Sequence, residues 1–255
     1  MTGETCIYTT RGSDILASDE KGASSLEVSR HELKYYINPI ESIKLVKALK
    51  NVMLEDKNNG VKGYAIRSLY FDTYAETDFY QKLSGEENRK KIRLRVYDPD
   101  DERVKLEIKR KFGDEQVKKS AIISRNDAKC LINGEYEALL KYNNEMTRMI
   151  YRVMRINHVR PVVLIEYQRQ AFIHPTNNIR ITLDSEIRSS ETYFDLFDKS
   201  LVLTPTEEFA FSLVEVKYDA FMTRWLSDLL SCYRMTRGAY SKYYVSRGIL
   251  ERYLA

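Results

Sequence analysis

Two segments, RKKIRLRVY (89–97) and RVKLEIKRK (103–111), place a charged residue at almost every second position with an aliphatic side chain between. In an extended strand successive side chains point to opposite faces. Arg89, Lys91, Arg93 and Arg95 therefore share one face, and Ile92, Leu94 and Val96 the other. Lys105, Glu107, Lys109 and Lys111 likewise oppose Val104, Leu106 and Ile108. NIRITLD sets Arg180, Thr182 and Asp184 against Ile179, Ile181 and Leu183, and LVEVKY sets Glu215 and Lys217 against Val214 and Val216. RHELKYYI groups Arg30, Glu32, Lys34 and Tyr36, and Arg169 falls at the end of a mostly apolar strand. A strand that only wets its polar face carries mixed charge. An excess of Lys and Arg repeated on strand after strand points instead to charged faces turned inward and apolar faces turned outward under helices.

Period-two alternation marks eight strands, at 27–37, 62–71, 89–97, 103–111, 116–123, 161–172, 178–185 and 212–218. Asn38-Pro39 opens a helix over 40–53 with Ile43, Val46, Leu49 and Val52 or Met53 on its apolar face. Thr73 and Glu76 have capping-box spacing for a short helix ending near Gly85, and Ser124 starts a helical insertion to about Ile156. Further helices are predicted over 225–233 and 241–252, with Trp225 in the core. The fold class expected is mainly β with added helices (α+β): a closed antiparallel eight-stranded tunnel barrel with a basic interior and helices outside. Such a barrel has room for its own side chains and one narrow ligand. Its inward cations repel one another unless a polyanion neutralises them. The ligand implied is thin, long and densely anionic, such as a triphosphate or polyphosphate; duplex nucleic acid does not fit the bore.

The chain of 255 residues carries a net charge of +4, too mild to argue for a nucleic-acid or membrane-surface protein, so the placement of charge matters more than its sum. No apolar run approaches the roughly 20 residues of a membrane-spanning helix, and no signal-peptide pattern opens the chain. Cys6, Cys130 and Cys232 are widely scattered with neither metal nor redox spacing, as expected of reduced thiols in a cytoplasmic protein. Residues 1–26 read as a flexible leader and 27–255 as one domain.

Taken in order, RHELKYYI, SLYFDT, RKKIRLRVYD, VKLEIKRK, VKKS, EYQRQAF, IRITLD, LVEVKY and YSKYY resemble the motifs of the VTC domain, the polyphosphate-polymerase domain of the triphosphate tunnel metalloenzymes. The resemblance covers about 29–244. It implies that Arg93, Arg95, Lys109, Arg169 and Arg180 serve the phosphoryl-transfer centre, and that Lys34, Lys91, Lys118 or its neighbour Lys119, Lys217 and Lys242 bind phosphate. It implies that Glu215, with Glu32 as second candidate, holds a divalent metal (Mn²⁺ or Mg²⁺). The activity implied is ATP-dependent synthesis of inorganic polyphosphate. Hydrolysis of a short triphosphate in the same tunnel and polyphosphate binding without turnover are the alternatives. The partners implied are polyphosphate and a nucleoside triphosphate, with a separate membrane subunit conceivable and the oligomeric state open.

Phosphoryl transfer needs alignment and charge stabilisation more than covalent help, which suits a wall of Arg and Lys. The hydrolytic relatives open on Glu-x-Glu-x-Lys; here the first Glu is Arg30, which argues against two metals and a water nucleophile. Where polymerases of the family often carry a further lysine, this chain has Ala239. Glu107 is expected to pair with Lys105 and Lys109. Asp184 is either a partner to the metal site or a turn residue, and His31, on the face opposite Glu32, is structural.

Overall fold

The computed structural model describes residues 30–113, 115–206 and 211–249, the side chain of Arg30 excepted. The expected leader, Cys6, the start of the first strand, the end of the last helix and the Arg30 side chain lie outside the described residues. In chain order the elements begin β1 (Arg30–Ile37), α1 (Pro39–Val52), β2 (Leu54–Glu55), β3 (Tyr64–Asp72), α2 (Thr77–Leu83), β4 (Arg89–Val96), β5 (Arg103–Phe112) and β6 (Glu115–Ser124). They continue α3 (Arg125–Ile132), α4 (Glu145–Ile156), β7 (Arg160–His174), β8 (Ile179–Ser190), β9 (Thr204–Pro205), β10 (Ser212–Asp219), α5 (Arg224–Ser231), β11 (Met235–Arg237) and α6 (Lys242–Arg247). No helix among the described residues is long and apolar enough to cross a membrane.

All eight strands expected from the periodicity form, and three short ones join them in a single antiparallel sheet of order β11-β1-β10-β8-β7-β3-β4-β5-β6. β2 adds to β7 and β9 to β8. The sheet is not closed: it has 11 strands and ends at β11 and β6, which corrects the expected closed eight-stranded barrel. The physical reason lies at the edges. β11 takes the free edge of β1 over Tyr35–Ile37, and the outer strand β6 exposes Lys118 and Lys119, charges that disfavour edge-to-edge pairing.

Though open, the sheet curls. β1 and β4 stand five steps apart, about 24 Å in a flat sheet. Yet Lys34 on β1 donates to the carbonyl of Tyr240 (3.3 Å), and Lys91 on β4 donates to Oγ of the next residue, Ser241 (3.0 Å). Both strands therefore turn their charged faces to one C-terminal segment inside the curve.

The convex face carries two aliphatic clusters. One packs Leu69, Ile92, Leu94, Leu106 and Ile108 beneath α3 and α4; the other packs Ile181, Val214 and Val216 beneath α1 and α5. His31 lies on this side, stacked on Tyr218 at 5.0 Å. A third cluster sits on the concave side, where Val163, Ile165 and Tyr167 meet Tyr70, Tyr240 and Tyr243. The concave face is thus part cation and part aromatic plug, because β7 is apolar on both faces.

Three local expectations change. On α1 the buried stripe is Leu45, Leu49 and Met53, while Ile43 and Val52 are exposed, since the helix turns its i, i+4 row to the sheet. Trp225 is 39% exposed and lies against His174 rather than in the core. The capping box at Thr73 fails because Glu76 sits in the left-handed region (φ 53°), so α2 starts only at Thr77. Its caps are the Thr73 hydroxyl, which accepts from the Thr77 N–H (3.1 Å), and Asp72. This fully buried carboxylate accepts from the N–H groups of Thr73 (2.7 Å), Asp78 (3.0 Å) and Phe79 (3.0 Å) and from the Tyr243 hydroxyl.

Asp72 therefore ties β3, α2 and α6 together. Asp72→Ala leaves three backbone donors without their acceptor and is expected to cost about 3 kcal/mol, against about 1 kcal/mol for Tyr243→Phe. Urea midpoints at unchanged slope check both values.

Candidate functional site

Cross-strand register decides which charges meet. Arg93 lies directly opposite Glu107, and Nε donates to the carboxylate at 2.6 Å. Arg95 approaches the same carboxylate at 3.9 Å and Lys118 forms a close ion pair with it. Glu107 is 1% exposed. Its partners are thus Arg93, directly opposite it, and the diagonal cross-strand neighbours Arg95 and Lys118, rather than Lys105 and Lys109 of its own strand. Arg93 also donates to the Tyr70 hydroxyl (2.9 Å), and Arg95 to Ser68 (3.1 Å) and Tyr167 (3.3 Å).

Asp184, fully buried on β8, forms the second centre. Arg169 stands opposite it on β7 and grips it with two parallel bonds of 2.6 and 2.7 Å, a fork that suits guanidinium and carboxylate. Lys242, on α6, reaches the same carboxylate at 2.6 Å. A turn residue would not be buried between two cations; Asp184 is a strand residue that orients them.

The third centre joins β1 and β10. Glu32 faces Lys217 and Lys34 faces Glu215 in the register. Lys217 is paired with Glu215 and lies 3.8 Å from Glu32, which also holds Lys34 at 2.9 Å. Two carboxylates on adjacent strands thus share their lysines.

Lys91, Lys109 and Lys118 form a row across β4, β5 and β6, each directly opposite the next. Lys119 stands opposite Ile108 and so belongs to the other face; of the two neighbours, Lys118 is the one turned to the groove. Arg180 stands directly opposite Lys217 across β10 and β8, paired with Asp56 at 2.9 Å and 38% exposed, at the rim of the groove. The structure therefore brings Lys34, Lys91, Arg93, Arg95, Lys109, Lys118, Arg169, Lys217 and Lys242 to one concave face with Glu32 and Glu215, leaves Arg180 at its edge and turns Lys119 away. Lys82 was not among the expected residues: it lies on α2, and only tertiary structure sets it near Arg89, Lys34 and Lys111.

The electrostatics follow from this crowding. Burial, aided by the charges of Lys82, Lys34 and Arg89, pushes Lys91 down to about 7. Burial together with Arg93 and Lys217 holds Lys109 well below the ordinary lysine range. Burial alone would raise the carboxylates, but the cations overcome it. Lys217, Lys34, Arg169 and Lys242 hold Glu215 well below its usual value, and Lys242 and Arg169 hold Asp184 low. Arg93, Arg95 and Lys118 do the same for Glu107. Glu215, Asp184 and Glu107 are thus held ionised, whereas Lys91 and Lys109 resist charge.

No cluster of three or more His, Cys, Asp or Glu able to hold a metal occurs among the described residues. Glu32 and Glu215 are the carboxylate pair on the groove wall. Their hard oxygens fit Mg²⁺ or Mn²⁺, ions commonly held by one or two carboxylates with the rest of the shell supplied by water and substrate phosphate.

Residues 29–250 match the VTC domain family. A candidate adenylate cyclase from Bacillus halodurans is similar in structure with a TM-score of 0.51, at 11% identity, over 88% of this chain and 96% of that one. A candidate adenylyl cyclase from Hippeastrum, whose structure is described as revealing a dominant triphosphatase activity, also gives a TM-score of 0.51. It is 15% identical over 85% of this chain and 94% of that one. The search of curated proteins finds no match.

The depressed lysines make anion binding pH-dependent with a definite sign. Below about pH 7 Lys91 is already charged, and a bound polyanion keeps it so. Above pH 7 the free protein has lost that proton, so binding must restore it and affinity falls as pH rises. Calorimetry with tripolyphosphate, in buffers of differing ionisation enthalpy, is expected to show net proton uptake at pH 8 that is smaller at pH 6. Lys91→Met removes part of this uptake.

Proposed function

This chain belongs to the VTC domain family, and on that footing we propose that it lengthens inorganic polyphosphate by taking the γ-phosphoryl group of ATP into the cation-lined groove. The observation that carries the proposal is the arrangement of Arg93, Arg95, Arg169 and Lys242 on two buried carboxylates, Glu107 and Asp184. Cations held in place before substrate arrives need no reorganisation when charge moves between phosphates.

In the proposed step a terminal oxygen of the polyphosphate chain forms a bond to the γ-phosphorus as the bond to the bridging oxygen of the β-phosphate breaks, and ADP leaves. The attacking oxygen is already ionised, so no side chain has to remove a proton. Arg93 and Arg169 present planar donors to phosphate oxygens, and Lys34, Lys109 and Lys217 contribute mobile point charges. Glu32 and Glu215 are the residues that would hold Mg²⁺ or Mn²⁺, which when bound offsets the charge developing on the transferred group. Incoming phosphate gives Lys34 and Lys217 new partners, freeing the two carboxylates for that ion. This chemistry draws on cytoplasmic ATP.

Triphosphate hydrolysis is the second possibility, favoured by the triphosphatase description of the Hippeastrum protein of similar fold. Purified protein incubated with ATP and Mn²⁺, with gel analysis for long chains and a parallel assay for free phosphate, separates the two. Long chains plus ADP are expected, with Arg93→Ala and Glu215→Ala each reducing synthesis by at least about a hundredfold. Free phosphate without chains would replace the polymerase with a hydrolase. Tight polyphosphate binding with neither product would leave a binding protein.

A further inference from the structure

The groove has two unlike ends. At one, where β4 begins and β5 ends, Arg89 stands opposite Lys111, with Lys82 of α2 close to both. The rings nearest that end are engaged with one another: Phe79 stacks on Tyr244 at 5.2 Å and takes Tyr80 against its edge at 5.4 Å. The opposite end, where β3 begins and β4 gives way to its turn, is lined differently. Tyr64 and Tyr97 stand there at positions that continue the inward rows of Tyr70 and Arg95.

The two rings lie 6.0 Å apart with a 53° tilt, which forms a wedge rather than a closed stack. Tyr97 is 39% exposed and Tyr64 half-buried, so the wedge opens to solvent. Cations of the groove border both. Tyr64 stands directly opposite Arg169 across β3 and β7, with Arg180 near the same ring. Lys105 donates to the Tyr97 hydroxyl (3.1 Å) and lies 4.9 Å from its ring centre. Gly63 holds the approach of the two strands. Its φ is +91°, and a Cβ there would lie 2.2 Å from the carbonyl oxygen of Arg169. Tyr64 is thus anchored beside Arg169 by a close backbone contact.

We propose that Tyr64 and Tyr97 are the platform for the base of the nucleoside triphosphate, placed so that its phosphates run inward past Lys105 and Arg169. A planar base gains by stacking on an exposed aromatic face, and it does so without strong base preference. An inorganic polyphosphate has no ring to stack and gains nothing from the wedge. The assignment rests on ATP being the phosphoryl donor, as proposed above, and extends it to how the protein tells a nucleotide from an inorganic chain.

Binding of ATP and of inorganic tripolyphosphate is measured by calorimetry in EDTA, where no transfer occurs. Tyr97→Ala is expected to weaken ATP about tenfold while tripolyphosphate stays within about twofold, and Tyr97→Trp to restore ATP. Tyr97→Leu, which keeps apolar bulk, gives the same split should the alanine variant fold poorly. If both ligands weaken together, or if neither Tyr97 nor Tyr64 substitutions move ATP, the platform is wrong. This split in the variants, with a wild-type protein that makes no polymer, overturns the polymerase and leaves the platform standing. Synthesis that persists with ATP affinity indifferent to both rings does the reverse.

Discussion

Lys91, Lys109 and Lys118 stand side by side on three neighbouring strands, an arrangement that folding must offset before anything else in this structure can hold. Two like charges about 5 Å apart repel by roughly 3 kcal/mol at an effective dielectric of about 20. Whole domains are stable by only about 5–15 kcal/mol. The rest of the charged face is offset by four acids, two of them deeply buried. Glu107 holds Arg93, Arg95 and Lys118; Asp184 holds Arg169 and Lys242; Glu32 and Glu215 divide Lys34 and Lys217. Lys109 forms no ion pair with a carboxylate among the described residues, and burial, with Arg93 and Lys217 nearby, lowers its proton affinity.

The same acids join distant parts of the chain. Asp184 couples the sheet to α6 through Lys242, and Asp72 couples β3 to α2 and α6. The segment around Tyr240–Lys242 therefore touches β1, β4 and β8 while its tyrosines fill part of the concave side. Charge pairing and aromatic packing work together: the plug excludes water from one flank of the groove, which strengthens every ion pair beside it. The aliphatic clusters on the convex face supply the burial that balances a polar interior.

Much of this was legible in the residues because side-chain alternation in a strand is local. Alternation in RKKIRLRVY and RVKLEIKRK assigned each cation to a face, and the structure keeps Lys91, Arg93, Arg95 and Lys109 together. What failed depended on neighbours that alternation does not describe. The partners of Glu107 were misassigned because register, not sequence spacing, sets them opposite Arg93. The buried stripe of α1 was misplaced because its apolar residues span more than one face and the sheet beneath selects Leu45, Leu49 and Met53. That the tyrosines beside Lys242 pack was legible, and Tyr240 and Tyr243 are buried; that they pack on the second face of β7 was not, because an apolar strand does not say what covers it.

By itself the sequence determined the eight long strands, the helices between them, and a surplus of cations concentrated on one face of several strands. All of these rest on contacts within about ten residues and on a period of two. Tertiary structure alone decided that the sheet curls without closing, that Lys118 rather than Lys119 joins the groove, and that Arg180 stays on the rim. It also decided that two tyrosines far apart in the chain share one end of the groove. Those outcomes depend on strand order, register and edge pairing, which are set by free energies summed over the whole sheet and leave no local trace in the residues that carry them.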